Sequence, residues 1–332
     1  MTVYDLESID PEAINTSHTQ VAELVGRDKT VLDVGCSTGD LGRFLGTQGC
    51  TVDGVEVDEE AAQMASKILR RVAVVDLDRE DLVAAMDGAR YDCIVFADVL
   101  EHLMDPATVL RSAISLLAPD GAIVISVPNV AHGALRLALL QGRWDYRTTG
   151  LLDNTHVRFF TRDSILDLVR GAGLAVAEIR ATINDPLRTE VEVDVSALPP
   201  GLVEWVRMQP RSFDYQYILR ATLGGPGEPP VVVPVTVLPE MEESQRHAQI
   251  LQSSDLAQLE RLDLYRKVLT LRDHVVGTEA ELGHSRTEFD RMQGERDLAL
   301  SAAHEMRMSA SWRLGHMLVA PLSGVRRLWR GR

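Results

Sequence analysis

The sequence is poor in cysteine: Cys36, Cys50 and Cys93 are the only three in 332 residues, each lies in or beside an apolar run, and none belongs to a C-x-x-C pair. A disulfide framework and a zinc site are therefore not expected, no other metal site is read, and thiols placed this way suit a reducing cytosol. Apolar runs of 18 residues are missing too, and the first 10 residues carry three acids with no basic or apolar segment. Neither a membrane span nor a signal peptide is expected, which points to a cytoplasmic protein. Basic residues are in deficit, 34 against 49 acids, for a formal net charge of −15. Binding to nucleic acid through its phosphates needs a basic face, so nucleic acid is not an expected partner. The length allows one large domain with an appendage, or two domains.

What is present starts with glycines between a strand and a helix. Residues 30–34 are a short apolar run rich in β-branched side chains, and Leu41, Phe44 and Leu45 follow at helical spacing. Glycine in such a turn lets the backbone approach a ligand, and the helix behind it offers unpaired N–H groups. A dinucleotide fold needs G-x-G-x-x-G, whereas here the glycines fall at Gly35 and Gly39 with Ser37 between them. The pyrophosphate reading fails on that spacing. Glu56 ends a second apolar run (residues 51–57), 21 positions beyond Gly35, where a carboxylate can accept both hydroxyls of a ribose.

The run DVGCSTG at residues 33–39, followed by Glu56, resembles motif I and the second-strand acid of class I S-adenosylmethionine (SAM)-dependent methyltransferases, with Ser37 in place of the middle glycine. The run YDCIVFADVLEHLMDP at residues 91–106 resembles the family's fourth motif in its "DVLEHL-DP" form, and the likeness extends over residues 15–183. It implies SAM as cofactor, held by Asp33, Gly35, Cys36, Ser37, Gly39, Glu56 and Val57, by Asp76 and Leu77 at the adenine, and by Ala97 and Asp98 at the methionine end. Asp33 would orient the glycine turn or the cofactor's amino group, and Asp78 would cap the next helix.

Along the chain, strands alternate with helices, the signature of an α/β, doubly wound sheet with ligands at the carboxyl ends of its strands. An opening helix is expected over residues 11–26 with Asp10 as N-cap, then helices over 59–69, 80–86, 107–117 and 161–169 and strands over 72–75, 91–97, 122–127, 174–182 and 213–223. In the family this seven-stranded, Rossmann-like sheet carries its last strand antiparallel between the fifth and sixth. Segments 129–160 and 184–211 fall outside the alternation and are expected to cap the sheet edge, so the methyltransferase domain spans residues 1–223. A Pro/Gly-rich linker (224–239) and a charged, proline-free helical extension (240–308) follow. A seven-residue register through Val268, Val275, Leu282 and Phe289 makes the extension a coiled coil through which the chain would self-associate, or else a solvated single helix. Residues 309–332 hold five arginines, two tryptophans and no acid, a pattern for a peripheral contact with the inner face of the membrane or for a partner helix. The stretch resembles tails on bacterial glycosyltransferases and methyltransferases of surface-polysaccharide assembly.

Methyl transfer to a hydroxyl needs a base, and His102, His156 and Glu101 are the candidates, His156 lying in the D-x-x-H-x-R-F-F-T stretch at 153–161. O-methylation is the expected reaction. The tail favours a saccharide or lipid-linked glycan acceptor, the core equally suits a quinone-like phenol or another small molecule, and a non-catalytic SAM-binding assembly protein is the rival of another class.

Overall fold

Side chains of a strand alternate between the two faces of its sheet, and a parallel sheet covered on both faces must be apolar on both. In the computed structural model, Val31 and Val95 belong to one buried apolar layer while Leu32, Val34, Ile94 and Phe96 belong to the other. Residues 9–10, 12–224, 230–233, 236–253, 256–309 and 311 are described. The chain divides into two compact units, residues 1–250 and 251–332.

In the first unit the elements run α1 (Ser17–Val25), β1 (Thr30–Val34), α2 (Asp40–Thr47), β2 (Thr51–Glu56), α3 (Glu59–Ala65), β3 (Arg71–Val74), α4 (Leu82–Ala85), β4 (Tyr91–Ala97), α5 (Pro106–Ile114) and β5 (Leu117–Pro128). They continue with α6 (Gly133–Leu140), α7 (Arg162–Gly171), β6 (Leu174–Ile183), α8 (Leu202–Arg207), β7 (Asp214–Leu223), β8 (Val231–Val232) and α9 (Pro239–Ser253). The strand order is β3-β2-β1-β4-β5-β7-β6-β8, with β7 antiparallel to both β5 and β6. Strand order reverses between β1 and β4, so a crevice opens at their carboxyl ends.

Three expectations are corrected. The first helix begins at Ser17 rather than residue 11, because the Thr16 side chain accepts the Thr19 N–H as N-cap, while the Asp10 side chain accepts the nearby Glu12 N–H. Asp78 does not cap α4: Asp81 does, and the Asp78 carboxylate instead accepts the Met104 N–H at 2.9 Å. The sheet has eight strands rather than seven, since Val231–Val232, inside the expected linker, pairs with Glu178 and Ile179 of β6.

The two expected cap segments pack into small cores of their own. Leu135, Ala138, Leu151 and Leu152 gather Trp144 and Phe159, whose rings meet edge to face at 5.4 Å, and Leu137 packs with Val203 and Val206 of α8. His132 is buried as the N-cap of α6 and bonds the Asn184 carbonyl at 3.0 Å; burial pushes its pKa down to about 4. These aromatics are packing residues, which anchor the loop 150–160 over the sheet edge. On the far side of the sheet, buried Asp53 takes a bidentate pair from Arg70 (2.8 Å each) and the Tyr91 hydroxyl at 2.8 Å, tying β2 to β4.

The second unit contains α10 (Leu256–Met308), 53 residues and so about 80 Å long at 1.5 Å per residue. Helix continues through Gly277, Gly283 and Gly294, and Val268, Val275, Leu282 and Phe289 are all exposed. Within the expected helical extension, α9 (Pro239–Ser253) and α10 (Leu256–Met308) are both helical. The basic tail at 309–332 lies outside the described residues apart from Ser309 and Ser311.

Candidate active site

A cavity of about 900 Å³ occupies the crevice at the carboxyl ends of β1, β2, β3 and β4. Of the residues singled out from the sequence, Asp33, Gly35, Cys36, Ser37, Glu56, Val57, Asp76, Leu77, Ala97, Asp98, Glu101, His102 and His156 all line it, since motifs at successive strand ends meet there. Gly39 does not. It takes φ +89° at the start of α2 and sits against Ala65, where a Cβ would approach the backbone to 3.1 Å. That packing fixes where α2 begins.

The glycine turn is held by Glu56. One carboxylate oxygen accepts the Ser37 N–H at 2.8 Å and the other accepts those of Val57 and Asp58 at 2.9 and 3.0 Å. A carboxylate has about four acceptor positions, so one remains for a ligand hydroxyl. Gly35 (φ +74°) leaves no room for a side chain: a Cβ would lie 2.5 Å from Val99. Ser37 adopts φ +47°, left-handed backbone that disfavours any residue with a Cβ, which explains why a glycine suits this position. Asp33 is 2 % exposed, and burial, then the Glu56 charge, push its pKa up to about 7. Asp76 accepts the Asp78 N–H and pairs with Arg79 at 3.3 Å, which shapes the turn after β3.

At the other end, Asp98 (φ +56°) accepts hydrogen bonds from Ser126 of β5 and Gln216 of β7. The 3₁₀ turn Leu100–His102 follows, and the Glu101 carbonyl accepts the N–H groups of Val157 and Arg158, docking the cap loop on it. Glu101 is 1 % exposed, and both carboxylate oxygens are buried with no hydrogen-bond partner. Burial, then the charge of Asp98, raise its pKa well above the usual carboxylate range. The rings of His102 and His156 meet edge to face at 4.8 Å; Thr155 holds His102 Nδ1 through its hydroxyl and carbonyl at 3.1 and 3.3 Å. Burial, then His102, push the His156 pKa down, and its Nδ1 is buried without a partner.

Residues 8–179, just over half of the 332-residue chain, match the family model described as a methyltransferase domain. The chain belongs to that methyltransferase family. Among curated relatives, this methyltransferase is 31% identical over 202 residues to the ubiquinone biosynthesis O-methyltransferase of Azotobacter vinelandii, covering 58% of this chain and 84% of that protein. It is 29% identical over 201 residues to the enzyme of the same name from Thiobacillus denitrificans, covering 58% and 85%. Among solved structures, it resembles the 1,6-didemethyltoxoflavin-N1-methyltransferase of Burkholderia thailandensis with bound S-adenosylhomocysteine (TM-score 0.41, 20% identity, 64% of this chain and 78% of that one). It also resembles the magnesium protoporphyrin IX methyltransferase of Synechocystis (TM-score 0.43, 17% identity, 67% and 91%). The enzyme is a SAM-dependent methyltransferase, and its cavity fits the cofactor. Gly35, Glu56 and Asp33 all line it, Glu56 with an acceptor position to spare and Asp33 with a buried carboxyl suited to an ammonium group.

His18 on α1, Gly150 and Thr155 of the cap loop, and Tyr215 and Gln216 of β7 also line the cavity and were not singled out from the sequence. A signal for the last two existed: an antiparallel strand inserted beside β5 starts where β5 ends, so its first residues reach the ligand edge.

Proposed function

We propose that this methyltransferase methylates a hydroxyl oxygen of a small molecule, at the end of the cavity where Glu101, His102 and His156 meet. The observation that carries this reading is the bare, buried Nδ1 of His156 on a ring held below its ordinary pKa, neutral near pH 7 and open to a proton. SAM, when bound, supplies a methyl carbon on a positively charged sulfur. Glu56, Asp33 and the glycine turn hold that cofactor at one end, so the acceptor enters from the cap side, past Gly150, Thr155 and Tyr215. The acceptor oxygen gains the methyl carbon, the electron pair of the broken C–S bond stays on sulfur, and the hydroxyl proton passes into the histidine cluster. The cap loop, fixed to the Glu101 carbonyl, shields that step from water.

Two acceptor classes are in play. The likeness to ubiquinone biosynthesis O-methyltransferases favours a phenol of the quinone type. The saccharide or lipid-linked glycan rests on the likeness of the tail to those of surface-polysaccharide enzymes. Incubating the enzyme with SAM and either an ortho-dihydroxybenzene or a lipid-linked sugar, with mass spectrometry for the gain of one CH2, separates them. Turnover of neither, in protein that binds SAM, removes both. The exposed apolar positions of α10 at seven-residue spacing support self-association through that helix, and the basic, aromatic composition of 309–332 supports reversible attachment to anionic lipid at the inner face of the membrane.

A further inference from the structure

Glu101 is out of place as an anion. A carboxylate withdrawn from water must be paired, neutralised by a proton, or coordinated to a cation. Neither of its oxygens has a hydrogen-bond partner, and the charges acting on it, Asp98 and Asp153, are both negative. A proton on Glu101 would settle the charge but would leave that O–H without a partner in this geometry. What surrounds Glu101 is a donor set. One ligand atom each from Glu101, His102 and His156 lies within 4.8 Å of the others. Ligands at ~2.1 Å from a shared ion are at most ~4.2 Å apart, so a small inward movement of the histidine rings closes the set. Two imidazoles and one carboxylate are chemically matched to a divalent transition metal, more than to magnesium or calcium, which prefer oxygen alone.

We propose that Glu101, His102 and His156 bind one divalent transition-metal ion at the acceptor end of the cavity, leaving open positions for two neighbouring oxygens of the acceptor. The binding itself stands apart from the proposed reaction; the role in catalysis rests on it. With the ion in place His156 would be a ligand rather than the proton acceptor; a hydroxyl bound to the ion would lose its proton more readily, and that proton would leave to water at the mouth of the cavity. An acceptor with adjacent hydroxyls, a catechol or a vicinal diol, would chelate the ion and present one oxygen to the methyl group, whereas an isolated hydroxyl would hold it more weakly. The sequence expectation of no metal site is then revised, for a reason the sequence hides: Glu101 and His102 are neighbours, but His156 reaches them only through the docked cap loop.

The test uses the full-length protein, stripped with EDTA and titrated with MnCl2, free Mn(II) being followed by its EPR signal. One site per chain is expected, with 14N couplings from two imidazoles in the pulsed EPR spectrum of the wild-type complex. Glu101→Gln and His156→Asn should each weaken binding by about 100-fold, the upper end of what loss of a supporting residue around a metal does. His284→Ala, in the second unit, should leave it unchanged. Absence of a saturable site, a spectrum without nitrogen couplings, or unaltered affinity in both cluster variants overturns the proposal. If the site fills but no hydroxyl acceptor is methylated, the metal stands and the reaction assigned above falls.

Discussion

Glu56→Ala separates the two jobs of one carboxylate. In the free protein the substitution removes the acceptor for three backbone N–H groups, of Ser37, Val57 and Asp58. Those of Val57 and Asp58 are at the exposed end of β2 and can turn to water, so the loss falls on the part-buried Ser37 N–H and costs about 1–3 kcal/mol. For SAM, the remaining acceptor position of the carboxylate gives one charge-assisted hydrogen bond to a ribose hydroxyl, about 1.5–3 kcal/mol, or roughly 10- to 150-fold in affinity. Slackening of the Ser37 turn adds to this. Calorimetry with S-adenosylhomocysteine measures the second effect and thermal unfolding the first. An affinity within about threefold of wild type, in a variant that is folded, would show that Glu56 props the turn and does not touch the cofactor.

Asp33, with a pKa near 7, gives SAM affinity a pH dependence. A cofactor ammonium favours the ionised carboxylate and lowers its pKa in the complex, so affinity should rise as pH approaches about 7 from below and level off above it, and the rise should vanish in Asp33→Asn; a flat wild-type profile would place the ammonium elsewhere. The same raised pKa acts on the free protein in the opposite sense: protonated Asp33 favours the folded state at low pH, and this contribution is lost as pH rises from the unfolded value towards 7. Ser37→Gly should relieve the left-handed strain and stabilise the protein by up to about 1 kcal/mol without weakening SAM binding, checked by chemical denaturation. Deleting residues 251–308 should convert an oligomer to a monomer in analytical ultracentrifugation; a full-length monomer at micromolar concentration rules out the coil. Liposome flotation should require anionic lipid, weaken with salt and disappear on deleting 309–332, and flotation indifferent to lipid charge would leave a partner helix as the reading of the tail.

The cofactor half of the site was legible because each of its parts is local. A β-branched run, a glycine turn and an acid at the end of the next strand are all decided within a few residues of chain, and β4 has the bounds its apolar run implies. Parallel pairing then brings the ends of β1, β2 and β4 together without further instruction. The acceptor half was named residue by residue but not assembled. Glu101 and His156 are joined by backbone bonds from Val157 and Arg158, a contact no periodicity encodes. Two valines in a proline-rich stretch carry no strand signal of their own; β8 exists because the edge of β6 has N–H and C=O groups to pair. Gly39, assigned to the ligand from the sequence, also packs against Ala65, a contact that no local pattern encodes.

Insertion of β7 between β5 and β6 has a consequence for how the enzyme comes into being. The candidate cofactor residues from Asp33 to Asp76 lie on consecutive strand–helix units whose contacts are short in sequence. Asp98, by contrast, is held by Gln216, and β5 cannot complete its pairing until β7 has been made. Contacts between residues so far apart form slowly and late, because the intervening chain must be ordered first. During synthesis the β1–β3 wall of the cavity can therefore order before its Asp98 end, which waits for the last strand of the domain.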